Sequence, residues 1–174
     1  MSNNLQARIY LAAPFFSDEQ NERLKLVKEH LEANKTVGYI YEPADHQQTT
    51  IVNKYGSLDI AMTTREWQDA TFRSDTQAIR QADAIVAILD YDYEHHNLVP
   101  DPGTIYEIGY AQALGKPIIL IQATDVGNDP LNLMLTQYTA YFDHKDLNGY
   151  TTNDLVTYDF INFPQVNNDE RLVF

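Results

Sequence analysis

Short apolar segments that alternate with helical patterns are the feature that most constrains the fold of this chain. Several are nearly unbroken runs of aliphatic residues, as is typical of strands buried on both faces of a parallel sheet. The predicted strands are residues 9–13, 37–41, 84–89, 117–121 and 139–142. Strands that alternate with helices imply parallel pairing with right-handed crossovers. We therefore predict an α/β fold for residues 1–174: a single doubly wound domain with a flavodoxin-like, mostly parallel five-stranded sheet and helices on both faces.

Capping signals and apolar spacing locate the helices between these strands. Residues 17–20 (Ser-Asp-Glu-Gln) have the pattern of a capping box, and an apolar stripe follows them at helical spacing. The other predictions are a helix over residues 63–82 that breaks near Ser74, a helix that begins at Thr104, a last helix over residues 152–160, and a long irregular loop over residues 44–58.

The chain is acidic, with 25 Asp and Glu residues, 12 Lys and Arg residues and a formal charge of −13. Nucleic-acid polymers are bound by basic surfaces that neutralise phosphates, so we expect no such polymer as a partner. A nucleoside carries no phosphate and is not excluded. The absence of cysteine excludes disulfides, Cys-ligated zinc and thiol chemistry. Residues 1–8 lack an apolar signal segment and no run approaches membrane-spanning length, so we expect a cytoplasmic protein without a membrane partner.

No glycine-rich phosphate loop follows the first predicted strand, where residues 12–16 are Ala-Ala-Pro-Phe-Phe. Dinucleotide and nucleoside-triphosphate sites use such loops, so both are disfavoured. Phe15 and Phe16 are instead candidates to line a nucleobase pocket. His95 and His96 are adjacent in one loop without a partner motif, and a solvated loop explains them better than a metal site. We therefore predict no bound metal.

Residues 101–109 (Asp-Pro-Gly-Thr-Ile-Tyr-Glu-Ile-Gly) are the most informative segment for function. They follow the buried strand at residues 84–89 and open a helix, so Glu107 is expected in the first helical turn at the carboxyl end of a parallel strand. Ligand sites of open α/β sheets gather at that edge, and the helix dipole favours an ionised carboxylate. Glu107 is thus a candidate nucleophile or base. Thr104 and Glu107 also fit a capping box, in which the carboxylate only closes the helix.

Other polar residues fall near the predicted carboxyl edge of the sheet or in the adjoining loops. Each has a structural explanation of its own: Tyr10 as a core residue, Asp75 as a helix cap, Asp101 as a turn former and Asn132 as a helix-start residue. Tyr10 could equally hold a carboxylate. Together these residues bring carboxylates, an amide and a phenol to one cleft. Two or more carboxylates around a cleft are suited to glycosyl transfer through an oxocarbenium-like transition state.

Five segments, in their order and spacing, resemble the nucleoside 2-deoxyribosyltransferase family. They are residues 9–18, 43–47, 67–75, 101–111 and 132–134, and the resemblance extends from Ile9 to the C-terminus. The forms Ala-Pro-Phe-Phe-Ser-Asp and Asp-x-Gly-Thr-x-x-Glu are more similar to the purine-preferring class of the family than to its broad-specificity class.

The resemblance implies a role for each matching residue. Glu107 matches the nucleophile of the family, Tyr10 the tyrosine that orients it, and Asp75 an aspartate that exchanges a proton with the departing base. The implied substrate-binding residues are Asp101 for the sugar hydroxyls, Asn132 and Met134 for the sugar site of a neighbouring subunit, Gln47 for the base, and Phe16 and Gly103 within the two class-specific motifs.

The implied reaction moves 2-deoxyribose from a 2′-deoxynucleoside donor to a free nucleobase acceptor, from purine to purine, as in purine salvage. It proceeds with retention through a covalent deoxyribosyl-glutamate and uses no metal or organic cofactor. The usual assembly of the family is a homohexamer, a trimer of dimers. This chain departs from the family by ending in Phe174 rather than Tyr and by a longer loop over residues 90–100. Two other functions stay open: a deoxynucleoside or deoxynucleotide N-glycosidase, and a non-catalytic nucleotide-sensing module.

Overall fold

The computed structural model describes residues 5–90, 99–122, 131–142 and 154–166. At its centre is a five-stranded sheet with the spatial order β2-β1-β3-β4-β5, and every neighbouring pair of strands is parallel. The strands are β1 (Ala7–Ala12), β2 (Val37–Tyr41), β3 (Ala84–Leu89), β4 (Ile118–Gln122) and β5 (Ala140–Phe142). The predicted doubly wound, flavodoxin-like sheet is confirmed, and the strand bounds agree with the predicted ones to within two residues.

Helices cover both faces of this sheet. They are α1 (Asp18–Ala33), α2 (Thr49–Tyr55), α3 (Leu58–Met62), α4 (Arg65–Gln81), α5 (Pro102–Ala113) and α6 (Asp154–Thr157), with 3₁₀ turns at Pro43–Asp45 and Leu133–Leu135. The apolar stripe of α1 and residue Leu155 of α6 are buried against one face of the sheet. Ile79 of α4 and Ile108 of α5 are buried against the opposite face. Each sheet face therefore has its own apolar core, because the strands carry apolar side chains on both faces.

The strand order reverses at β1, because the chain continues to β2 on one side of it and to β3 on the other. Ligands of open α/β sheets bind at such a switch point, beyond the carboxyl ends of the strands. Helix α5 contacts both β1 and β3, and α4 contacts β1 and α5. These two helices consequently bring their side chains to the carboxyl edge of the two central strands.

Two predictions about the helices are wrong. Residues 44–58 are not one irregular loop, since they contain α2, which ends at Gly56 with φ of 88°. The helix is only seven residues long and buries no residue fully, so its apolar pattern is too short to predict it from sequence. Helix α4 does not break near Ser74, because the Ser74 hydroxyl bonds to Tyr41 Oη at 2.8 Å and does not compete for the helix backbone.

The last helix is shorter than predicted within the described residues, where α6 spans Asp154–Thr157 and residues 158–160 are not helical. His95, His96 and Phe174 lie outside the described residues. In the part of the chain that the structure describes, no helix has both the length and the apolar character needed to cross a membrane.

Candidate active site

Tyr10 and Glu107 meet at the switch point. Tyr10 lies near the carboxyl end of β1, its side chain is fully buried, and it packs in the same core as α5. Its hydroxyl donates a hydrogen bond to Glu107 Oε1 over 2.5 Å, across a sequence separation of 97 residues. A phenol bonded to a carboxylate at this length is a strong, charge-assisted contact. Tyr10 therefore fixes one oxygen of Glu107 and leaves the other without this partner.

Glu107 does not close the start of its helix, so the predicted capping box is wrong. The N-cap is Asp101, whose Oδ2 accepts from Thr104 N at 2.7 Å and from Thr104 Oγ1 at 3.1 Å. Asp is a preferred N-cap and Pro102 suits the first helical position, so the N-cap lies three residues before Thr104 and the helix begins at Pro102. Glu107 consequently lies in the second turn of α5 and not in the first, and its carboxylate faces Tyr10.

Gly103 leaves room for this cap. A Cβ atom at Gly103 would lie 2.9 Å from Asp101 Oδ2, closer than such atoms approach in proteins. A side chain at this position would displace the carboxylate that caps α5. Asp101 also acts on Glu107 electrostatically, since its negative charge raises the pKa of Glu107.

A second carboxylate, Asp75 of α4, is also held by a tyrosine. Tyr41 Oη donates to Asp75 Oδ1 over 3.0 Å. Tyr41 ends β2 and pairs in register with Tyr10 on β1, and the two rings stack with centroids 5.5 Å apart and planes 14° apart. The outer face of Tyr41 stacks on His46, at 4.0 Å between centroids. Two stacked tyrosines on adjacent strands thus hold one carboxylate each.

Burial changes the acidity of both carboxyl groups, and the charges of neighbouring carboxylates add to the change at Glu107. Burial raises the pKa of Glu107 to about 7, the charges of Asp75 and Asp101 raise it as well, and the hydrogen bond from Tyr10 opposes them. Burial also raises the pKa of Asp75, against the hydrogen bond from Tyr41 and the charge of His46. Burial and the neighbouring Glu107 raise the pKa of Tyr10, which stays a neutral donor at all ordinary pH values. Of the two carboxyl groups, Glu107 is therefore partly protonated near neutral pH.

The raised pKa of Glu107 predicts that the Glu107→Gln variant is more stable than the parent at pH 8. The folded-state pKa is about 7 against an ordinary value of 4.5 for a glutamate, so the parent loses stability as pH rises from about 4.5 to about 7. The side-chain amide of Gln does not titrate, and its oxygen can still accept the hydrogen bond from the Tyr10 hydroxyl. We expect the variant to gain free energy of unfolding, on the order of 2 kcal/mol, between pH 4 and pH 8 relative to the parent.

Thermal unfolding at pH 4 and pH 8 measures this difference. The control is Glu22→Gln, because Glu22 is exposed on α1 and should show no such pH-dependent gain. A Glu107→Gln variant whose advantage over the parent is the same at both pH values would contradict the raised pKa.

The remaining predicted residues lie around this centre in different ways. Gln47 is half-buried and its amide donates to Pro43 O at 3.3 Å, so it packs on the turn after β2. Phe16 follows β1 and is 65% exposed, with its ring 5.1 Å from that of Phe15. Gln47 and Phe16 therefore follow the carboxyl ends of the two strands that carry Tyr41 and Tyr10.

Asn132 and Met134 belong to an exposed turn. Asn132 Oδ1 accepts from Met134 N at 3.0 Å and caps a 3₁₀ turn, which confirms the expected helix-start role. Leu133 and Met134 are 62% and 73% exposed. Among the described residues, no hydrogen bond joins this turn to Glu107. Its exposed apolar side chains are better suited to contact with another molecule than to packing in their own chain.

Sequence analysis missed Tyr41, His46 and Ser74 as parts of the site. Tyr41 could have been found from its position, because it ends the second predicted strand as Tyr10 nearly ends the first. Tyr41, His46 and Ser74 also line a cavity of about 210 Å³ on the far side of Tyr41. Neither Glu107 nor Tyr10 lines that cavity, so the cavity is separate from the candidate site at Glu107. The described residues contain no cluster of three or more His, Asp or Glu side chains arranged to hold a metal.

Comparison with known proteins agrees with this geometry. The sequence model of a family described as "Nucleoside 2-deoxyribosyltransferase" matches residues 9–134. The chain is 36% identical over 148 residues to a nucleoside deoxyribosyltransferase of Limosilactobacillus fermentum, covering 80% of each chain. It is 30% identical over 129 residues to one of Lactobacillus leichmannii, covering 72% of this chain and 76% of the relative. The solved 2-deoxyribosyltransferase of Bacillus psychrosaccharolyticus superposes with a TM-score of 0.72 and 29% identity, over 93% of this chain and 99% of that one.

Proposed function

Because the chain belongs to the nucleoside 2-deoxyribosyltransferase family, a family of pentosyltransferases, we propose that it moves 2-deoxyribose between purine bases by covalent catalysis at Glu107. The observation that supports this proposal best is the hydrogen bond from Tyr10 to Glu107 at the switch point of the sheet. It leaves one carboxylate oxygen of Glu107 available to a substrate, and Asp75 supplies a second carboxyl group nearby.

The first half-reaction forms the covalent intermediate. The free oxygen of Glu107 attacks C1′ of the 2′-deoxynucleoside, and the electron pair of the C1′–N bond leaves with the base. Asp75 gives its proton to a ring nitrogen of that base. A second base then attacks C1′ of the deoxyribosyl-glutamate, the C1′–O bond breaks to restore the Glu107 carboxylate, and the ring proton of the incoming base returns to Asp75. Two displacements at C1′ retain the anomeric configuration.

This scheme needs Glu107 ionised and Asp75 protonated at the same moment. In the free protein, burial and the charges of Asp75 and Asp101 raise the pKa of Glu107 to about 7. Burial also raises the pKa of Asp75, and a bound base that covers this half-buried carboxyl group removes water from it and raises its pKa further. The bound base therefore favours the protonated form of Asp75 at the moment when the scheme needs an acid.

The remaining substrate contacts are proposed from the resemblance of the matching residues to those of the family. Asp101 binds sugar hydroxyls beside Glu107, and Gln47 and Phe16 contact the base. Asn132 and Met134 reach the sugar site of a neighbouring subunit, in a homohexamer built as a trimer of dimers. The exposure of Leu133 and Met134 supports that assignment, since apolar side chains on a turn are typical of interfaces.

Incubation of the protein with deoxyinosine and adenine tests the reaction class. We expect deoxyadenosine and hypoxanthine as products. Free deoxyribose in place of deoxyadenosine would indicate an N-glycosidase, and no turnover would indicate a nucleotide-sensing protein.

Purine exchange is expected to be at least about 10²-fold faster than exchange from a pyrimidine donor. The exposed ring of Phe16 offers a stacking surface for a bicyclic base, and a smaller base would leave its acceptor nitrogen away from Asp75. A misplacement of about 1 Å costs roughly that factor. Initial rates of deoxyinosine with adenine and of thymidine with adenine measure the ratio. Equal rates would show a broad-specificity enzyme.

A further inference from the structure

The phenol of Tyr41 takes part in two hydrogen bonds, although it has one proton to give. Its Oη lies 3.0 Å from Asp75 Oδ1, to which it donates, and 2.8 Å from Ser74 Oγ. Because the single proton of the phenol points to Asp75, Ser74 must be the donor in the other contact. Ser74 thus donates a hydrogen bond to Tyr41, and Tyr41 donates one to Asp75.

This direction decides which oxygen of Asp75 can carry a proton. Oδ1 already accepts from Tyr41, and a proton on Oδ1 would point at the phenolic hydrogen. Oδ2 receives no hydrogen bond from the described residues, so it is the oxygen on which a transferable proton is placed. The hydroxyl chain thereby directs the acidic proton of Asp75 away from Tyr41.

The ring of Tyr41 is held so that its hydroxyl oxygen stays within hydrogen-bond distance of Asp75. It is stacked on Tyr10 at 5.5 Å and on His46 at 4.0 Å, with interplanar angles of 14° and 18°. The side chain of Tyr41 is buried at the end of β2. A ring confined on both faces cannot swing its hydroxyl away from Asp75 without unstacking.

We propose that Tyr41 is a positioning residue of the proposed transfer reaction, which fixes the proton of Asp75 on Oδ2 so that it is delivered to the leaving base. The inference rests on the proposed function, and it adds a requirement on Asp75 that the reaction scheme alone does not contain. Tyr41 touches no substrate in this account and acts through Asp75 alone.

The groups that face Asp75 come from three other elements. Tyr41 belongs to β2, and His46 follows the 3₁₀ turn after it. Tyr10 belongs to β1 and Glu107 to α5, and each of them has its pKa raised by the charge of Asp75. Of these groups, Tyr41 alone donates a hydrogen bond to Asp75 within the described chain, so removal of its hydroxyl changes Asp75 most directly.

The variant Tyr41→Phe tests the proposal, because it keeps both ring contacts and removes the hydroxyl only. The matched control is Tyr39→Phe, on the same strand, whose ring lies under Arg8 and makes no hydrogen bond to Asp75. With deoxyinosine as donor, we expect kcat to fall about tenfold or more in Tyr41→Phe and to stay at the parental level in Tyr39→Phe. Unfolding temperatures near that of the parent establish that both variants are folded.

Two readouts separate positioning from a merely structural role. Loss of the Tyr41 donor raises the pKa of Asp75, so the alkaline limb of the pH–rate profile should move to higher pH while the rate falls. With 7-methyl-2′-deoxyguanosine as donor the base leaves without a proton, so Tyr41→Phe should release 7-methylguanine at close to the parental rate. An equal loss on both donors, or no loss on either, would overturn the proposal.

The variant Asp75→Asn separates this proposal from the proposed function. If Asp75→Asn is impaired on deoxyinosine and Tyr41→Phe behaves as Tyr39→Phe, the role of Tyr41 is refuted and that of Asp75 stands. If Asp75→Asn transfers deoxyribose at the parental rate, the acid role of Asp75 is refuted and the role of Tyr41 with it.

Discussion

The Glu107→Ala variant is expected to lose transfer activity by on the order of 10⁴-fold or more while its fold is retained. The nucleophile is removed, and no other carboxylate of α5 in the described chain is placed to replace it. The structural cost is small. Tyr10 loses its acceptor, which costs about 1–3 kcal/mol, but the protein no longer buries a carboxylate beside Asp75.

Transfer assays with deoxyinosine and adenine, together with circular dichroism, measure both parts of this expectation. Glu22→Ala is the control, since Glu22 is exposed on α1 and away from the switch point. Transfer by Glu107→Ala within tenfold of the parent would contradict a nucleophilic role.

Mixed assemblies of two inactive variants are expected to regain activity. If Asn132 completes the sugar site of a neighbouring subunit, Asn132→Ala and Glu107→Ala should each be inactive on their own. In a mixed oligomer some sites combine an intact Glu107 from one copy with an intact Asn132 from the next. Those sites should work at the parental rate, because neither of the two residues that form them is substituted.

Co-expression of the two variants with different tags, followed by tandem purification of the mixed oligomer, allows this measurement. Each variant purified alone provides the background. A mixed oligomer with no more activity than that background would show that Asn132 serves its own subunit or none. Light scattering of the parent tests the assembly itself, for which we expect a hexamer.

The sheet could be predicted from sequence because its strands are buried on both sides. Continuous aliphatic runs such as that of β3, whose six residues are all buried, distinguish a strand from its surroundings without any tertiary information. Helix α2 could not be predicted in the same way, since it buries no residue and makes its contacts with α3 and α4 only after the chain has folded.

The start of α5 shows a different limit of sequence reasoning. Asp101-Pro-Gly-Thr contains two acceptable N-caps three residues apart, and either one could begin a helix. Tertiary packing decides between them, because Glu107 bonds to Tyr10 on β1 and is not available to the backbone at Thr104. Glu107 lies in the second helical turn and not in the predicted first turn. It is a candidate in either turn, because the helix that carries it follows β3.

The hydrogen-bond partner of Asp75 could not be predicted from the sequence, for a related reason. The contact between Tyr41 and Asp75 spans 34 residues and two elements, and it depends on the register in which β2 pairs with β1. A slip of one residue would turn Tyr41 to the other face of the sheet. Only the folded chain shows that two tyrosines, stacked on each other, hold the two carboxyl groups.

The covalent intermediate is the central claim, and mass spectrometry of the digested protein tests it most directly. The protein is mixed with deoxyinosine in the absence of an acceptor base, quenched in acid, and digested. We predict release of hypoxanthine together with a deoxyribosyl adduct on the peptide that contains Glu107, and addition of adenine before the quench should discharge the adduct as deoxyadenosine. Transfer of deoxyribose with no adduct at any time, or an adduct on a different residue, would contradict the account.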